Sequence, residues 1–235
     1  MSTAEGSRRI VTNGLVLYLD AANPKSYISG STTWNDLSIS GNNGTLVNGP
    51  TFNSGNGGSI AFDGTNDYYS ASTSYIQSSH TIISWVYINS LNKDWIPILE
   101  FKFGNSYRAH YYVQGDLNPY TDKRRGFGAN WHNGSVDTQT WNAPNLLSIE
   151  ANRWYMFTGV LNGNLGDTYV NTEKSKSTIT VPSYTNVQIT SVLNARPQDG
   201  FYNSGFVSNT LVYNRALSSQ EILQNYNATK GRFGL

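Results

Sequence analysis

No cysteine occurs in this 235-residue chain, which excludes disulfides and thiolate metal sites together. Charge is scarce too: Asp, Glu, Lys and Arg make up 13% of the residues, about half the usual share. The formal net charge of +1 gives no reason to expect nucleic acid or an acidic membrane surface as partner. The one basic cluster, Lys123-Arg124-Arg125, is too short to alter that. No apolar run approaches the length of a membrane span, so no membrane insertion is expected. The opening residues, MSTAEGSRRIVTNG, hold no apolar run and predict no secretory signal.

Recognisable catalytic groupings are equally thin. Glycoside hydrolysis needs two carboxylates flanking the scissile bond, often set on alternate positions of one strand. The five glutamates stand at 5, 100, 150, 173 and 221, and none has an acidic neighbour two residues away. Glu100 is the only one inside a strong strand pattern, where it reads as an exposed or paired strand residue. His80, His110 and His132 are scattered and fit no ligand spacing. No Gly-x-Ser-x-Gly elbow or phosphate-cradling glycine loop is present. The chain therefore reads as a non-enzyme with no catalytic residues and no cofactor.

What the chain has in abundance is glycine (22), tyrosine (16), asparagine and serine. Short apolar runs alternate with turn-forming pairs such as Asn-Gly, Gly-Asn and Asp-Gly. Strands are predicted at 15–20, 59–63, 81–89, 96–103, 109–113, 126–131, 153–161, 167–171, 177–181, 187–193 and 206–214. That spacing argues for an all-β protein, a two-sheet antiparallel sandwich. No linker, repeat or shift in composition divides it.

Two strands identify a covered sheet. In TIISWVYIN, Ile83, Trp85 and Tyr87 lie on one face while Ile82, Val86 and Ile88 lie on the other. WYMFTGV likewise sets Trp154, Met156 and Val160 opposite Tyr155 and Phe157. Apolar residues on both faces predict central strands, with Trp85 and Trp154 packing in the core.

One helix is specified near the end. Ser218 and Glu221 form a capping box, and Leu217 with Ile222 forms a hydrophobic staple. Ile222, Leu223 and Tyr226 share an apolar face, and Gly231 is the expected stop. A helix of roughly ten residues is marginal alone in water, so it must dock on the sandwich.

The blocks GGSIAFDGTNDYY (57–69), TIISWVYI (81–88), RWYMFTGVLNGN (153–164) and GFVSNTLVYNRALSSQEILQNY (205–226) resemble, in order, those of laminin-G-like, concanavalin-A-like lectin/glucanase domains. The resemblance implies a jelly roll with a short C-terminal helix, in a domain spanning 14–228 between an arm at 1–13 and a tail at 229–235. It also implies a rim calcium site, for which Asp63 and Asp67 match the motif positions; hydrogen-bonding the turn between two strands is their other reading. Ser208-Asn209 stands where the family often has an acidic residue, and Asn171-Thr172 where it often has Asn-Gly.

A second resemblance is narrower. VTNGLVLYLDAANPKSY (11–27), TTWNDLSISGNNGTLVNGPTF (32–52) and NYNATKGRFGL (225–235) are similar to segments of virion structural proteins of tailed bacteriophages, notably those of marine cyanobacteria. It implies a virion protein assembled in host cytoplasm, a surface decoration or head-fibre subunit. Its partners would be the capsid shell or tail and further copies of itself. The rival expectation is a host-glycan adhesion module of a tail fibre, baseplate or bacterial protein.

Two sets of contact residues follow. The polar stretch 118–145 offers Tyr120, Arg124, Arg125, Trp131 and Trp141 as a platform for a glycan or a protein partner. At the ends, Arg8, Arg9, Ile10, Arg232, Phe233 and Leu235 combine charge with apolar anchors, and are expected to order on an assembly partner.

Overall fold

The computed structural model describes residues 9–72, 79–103, 107–117, 126–133, 137–139, 148–174, 178–181 and 191–235. Two antiparallel sheets pack face to face. Sheet I runs in the order Glu173–Lys174, Leu165–Val170, Trp154–Asn162, His80–Ile88, Ser204–Tyr213, Ser59–Asp63, Thr51–Asn53. Leu15–Asp20 also pairs with Ser204–Tyr213, and Ile179–Thr180 with Leu165–Val170. Sheet II runs Asp137–Gln139, Phe127–Asn133, Tyr107–Gln114, Trp95–Phe103, Ser191–Leu193, Tyr68–Ala71, Gly44–Val47, Thr33–Trp34. A separate hairpin joins Ala195–Arg196 to Phe201–Tyr202.

Every run anticipated from the sequence overlaps a strand. The strands not anticipated, among them Thr33–Trp34, Gly44–Val47, Thr51–Asn53 and Tyr68–Ala71, are short, four residues or fewer. They form because neighbours offer them a ladder, and they carry little alternation of their own to read.

The division of faces on the central strand holds. Ile82, Val86 and Ile88 join the core between the sheets, with Phe157, Tyr111 and Phe101. Ile83 and Trp85 join a second core on the outside of sheet I, with Met156, Val160, Leu211 and Tyr213. Tight approach between the sheets depends on two missing side chains. A Cβ on Gly159 would stand 1.9 Å from the Tyr111 ring, and one on Gly166 would stand 2.8 Å from Trp131. Trp131 is therefore fully buried in the inter-sheet core. This corrects its expected place on a surface platform. Alternation alone does not show that the facing strand leaves a ring-sized gap.

The helix spans Ser219–Thr229 with its capping box complete: the Glu221 amide donates to Ser218 Oγ, and the Ser218 amide donates to Glu221 Oε2 at 2.9 Å. Two details depart from expectation. The buried face is Ile222, Asn225 and Thr229, while Leu223 is exposed. The helical path also does not stop at Gly231; it continues as a 3₁₀ turn over Lys230–Phe233, capped by Gly234, whose φ of 72° is left-handed. That extra turn carries Phe233 onto Trp85, with ring centroids 4.2 Å apart.

Candidate functional site

Asp63 and Asp67, the candidate calcium ligands, lie at the turn between Ser59–Asp63 and Tyr68–Ala71. Asp63 Oδ1 accepts from the Thr65 amide at 2.7 Å, and Asp67 Oδ2 accepts from the Asp63 amide at 3.2 Å. The Thr65 bond holds the Asp63 carboxyl below its ordinary value, whereas burial pushes Asp67 up. Both act as turn residues. Beside them the Lys93 ammonium donates to the carbonyls of Gly64 (2.8 Å) and Tyr202 (2.9 Å). Burial lowers the Lys93 pKa, and the Asp63 charge works against that lowering. The Gly64 and Tyr202 carbonyls at this rim are thus engaged by an internal cation and the two aspartates by amides of their own turn, an arrangement that does not fit calcium. Among the described residues no group of three or more His, Asp or Glu is arranged for a metal.

The outer face of sheet II holds the chemistry that was hardest to foresee. Alternation along Tyr107–Gln114 sends Ala109, Tyr111 and Val113 into the core and His110, Tyr112 and Gln114 outward, yet those three are buried as well. Glu100 lies opposite His110 in register, and Nδ1 of His110 is 3.0 Å from its Oε2. Gln198 donates to Glu100 Oε1 at 3.3 Å. Arg196 donates to Tyr112 Oη at 3.2 Å and is ion-paired with Asp199. Burial alone would raise the Glu100 pKa; hydrogen bonding and charge from His110, the Gln198 hydrogen bond and the Lys102 charge together outweigh it and hold the carboxyl below its ordinary value. At 1% exposure Glu100 is a paired residue closed under the 195–202 hairpin. The reading of it as exposed is corrected; the reading of it as paired stands.

The chain ends meet on the opposite side of the molecule. Arg232 Nη1 lies 2.9 Å from Asp20 Oδ1, and Nη2 donates to Ser208 Oγ at 2.6 Å and to the Gly58 carbonyl at 3.2 Å. Phe233 is buried against Trp85 and Trp154. The Val11 amide donates to Asn225 Oδ1, whose amide in turn donates to Tyr213 Oη, and Gln224 donates to the Arg9 carbonyl. Ile10 packs on the same cluster. Arg232 and Phe233 are thus engaged by their own sandwich, which corrects their expected role as arms awaiting a partner; Leu235 remains exposed. The reason is local chemistry. The guanidinium finds a carboxylate, a hydroxyl and a carbonyl together, and the ring finds two tryptophans. Tyr120, Arg124, Arg125, Trp141 and Arg8 lie outside the described residues.

One feature was missed altogether. A cleft of about 410 Å³ opens between the loops 27–32 and 46–52, lined by the stacked pair Tyr27 and Phe52, whose rings are 5.7 Å apart. The sequence carried a faint signal for it, an aromatic on each of two Ser/Thr/Gly-rich loops.

Two face-packed antiparallel sheets, a helix closing the outside of one and a polar buried cluster on the other define a jelly-roll sandwich of the lectin type. A family model described as the concanavalin A-like lectin/glucanases superfamily, laminin G-like, matches residues 63–223, and the chain belongs to that superfamily. No curated protein matches the sequence. Among solved structures, Trypanosoma rangeli sialidase is similar with a TM-score of 0.68 and 18% identity over 93% of this chain. This chain spans only 33% of that sialidase. Domain 4 of AbnA, an extracellular arabinanase from Geobacillus stearothermophilus, in complex with arabinotriose, is matched over its whole length and 92% of this chain, at TM-score 0.68 and 12% identity. The receptor binding domain of botulinum neurotoxin type G is similar at TM-score 0.64 and 13% identity, over 91% of this chain and 51% of that one.

Proposed function

We propose that this chain is a non-catalytic, lectin-like display module of a tailed-phage virion, assembled in host cytoplasm and seated on the capsid shell or tail together with copies of itself. The observation that carries this reading is the meeting of the segments that resemble phage virion proteins. Residues 11–27 and 225–235 interlock through Arg232 with Asp20, 212 residues apart, and through Asn225 with Val11. The segments that carry the resemblance thus come together in one part of the structure. Glu100 supports the non-catalytic part: its carboxylate is closed from solvent and held by His110 and Gln198. Antibodies against the domain should decorate intact purified particles. Detection in lysate with none on particles would remove the virion reading, and polysaccharide hydrolysis that vanishes in Glu100→Gln would remove the non-catalytic one.

A second reading, contact with a saccharide, is favoured by the Tyr27–Phe52 cleft. Sugar sites commonly combine aromatic faces with a few polar groups in a concave setting. A relative in fold was solved with arabinotriose bound, which gives that reading a precedent on this architecture. The two readings are compatible, since a displayed module on a particle is well placed to touch a host glycan.

A further inference from the structure

The Tyr27–Phe52 cleft can be described more closely than as a saccharide contact. We propose that it is a binding site for a short neutral saccharide, one without carboxylate, sulfate or phosphate; this rests on the saccharide reading above.

The lining of the cleft sets the chemistry it can accept. Its residues are Tyr, Phe, Leu, Pro, Gly, Ser and Thr, without one charged side chain. An acidic sugar would give up part of its hydration on entering and find no cation in the lining to replace it, whereas the hydroxyls of a neutral polyol lose less and can be met by the hydroxyls of the lining. The polar groups present are of the right kind. The hydroxyls of Ser29, Thr32 and Thr51 sit on exposed residues and make no hydrogen bond to other described residues, so each is free to donate and to accept. Ser31 differs: its hydroxyl already bonds the Thr33 backbone and shapes the loop.

The apolar part is equally specific. Phe52 is half-buried, with Tyr27 stacked behind it and the Tyr27 hydroxyl tied to the Ser31 carbonyl at 3.0 Å. A ring backed in this way is held in one orientation and offers a flat apolar patch to the C–H face of a pyranose or furanose. Two of the lining residues are glycines in the left-handed region. Gly30 and Gly49 have φ of 87° and 106°, and nothing lies within 4 Å of where either Cβ would stand. A volume of about 410 Å³ falls within the range of small-ligand sites. An apolar side chain plugging the cleft would leave the three free hydroxyls without partners, whereas a saccharide offers hydroxyls to them and C–H faces to the ring.

The test is a titration of ¹⁵N-labelled protein with maltotriose, cellotriose, arabinotriose, lactose and 3′-sialyllactose, followed by amide chemical shifts. At least one neutral sugar should shift the amides of Gly30, Gly49 and Thr51, and 3′-sialyllactose should bind at least about tenfold more weakly than its best neutral counterpart. Phe52→Ala should weaken binding by about tenfold or more. Because that change also removes a packing contact, Thr51→Trp serves as the second variant: it alters an exposed residue and should block the cleft without unfolding the sandwich. Binding of a neutral sugar with shifts confined to another face would leave the saccharide reading standing and overturn this site. No binding of any sugar overturns both, while particle labelling still decides the virion reading. Sialyllactose binding as tightly as lactose overturns the neutral class. Unaltered sugar shifts in Thr51→Trp, with reduced attachment of that variant to particles, would make the cleft a protein contact and overturn the proposal.

Discussion

The outer faces of the two sheets are buried to similar degrees and by opposite means. On sheet I, Trp85, Met156 and Leu211 meet Ile222 and Phe233 from the helix and tail, so that face is a second hydrophobic core. On sheet II, Glu100, His110 and Tyr112 are buried beside a polar hairpin that supplies Arg196, Gln198 and Asp199. Apolar cover tolerates small shifts because dispersion and the hydrophobic effect are non-directional. Polar cover does not, because each buried group needs its own partner. The first face should therefore fail by losing area, the second by losing geometry or charge.

The strongest way to break the first face is Phe233→Ala. Removing a ring that contacts both Trp85 and Trp154 should cost about 3 kcal/mol, read as a lowered denaturation midpoint and altered tryptophan emission. An unchanged midpoint would mean that the tail does not close sheet I.

The second face should break by charge. Glu100→Gln should cost about 2 kcal/mol, because His110 Nδ1 keeps its burial and loses a carboxylate partner. The wild type should also show a specific acid dependence. Glu100 titrates lower in the folded chain than in the unfolded one, so its stabilising contribution is complete above the ordinary glutamate value of about 4.3 and is lost as pH falls through the folded value. Stability measured from neutral pH downward should fall less steeply in Glu100→Gln than in the wild type; parallel profiles would show that the pair contributes nothing.

Smaller effects sharpen the contrast at the helix start. Ser218→Ala should cost about 1 kcal/mol through the lost cap. Glu221 is held down to about 2, chiefly by its bond to Arg215, so this partly exposed link is complete above the ordinary glutamate value and is lost only as pH falls toward 2. Glu221→Gln should cost about 1 kcal/mol at neutral pH and should remove the acid-limb loss that belongs to that group. Midpoints unchanged in both variants would remove the cap from the account.

The smallest expected effect is none. Calcium or a chelator should leave the melting temperature unchanged, because Lys93 already holds the Gly64 and Tyr202 carbonyls. A calcium-dependent rise would show that the ion enters the rim in spite of the ammonium.

Much of this molecule is legible along the chain. Leu15–Asp20 and Ser59–Asp63 match their apolar runs residue for residue, and the two faces of His80–Ile88 follow directly from alternation. The helix start is readable because the capping box lies within four consecutive residues. These features depend on local spacing, which a linear sequence displays. Other features depend on what arrives from elsewhere. Trp131 enters the core because Gly166 leaves room on a facing strand, and Glu100 meets His110 because a bulge between Pro97 and Leu99 sets their register. Leu223 is exposed while Asn225 is buried, because Val11 and Tyr213 supply that amide with partners. Arg232 and Phe233 read as free arms until Asp20, Ser208 and two tryptophans stand beside them. The local pattern establishes which residues share a face. What covers that face is settled only when distant segments meet, because burial and pairing energies belong to contacts that sequence order does not contain.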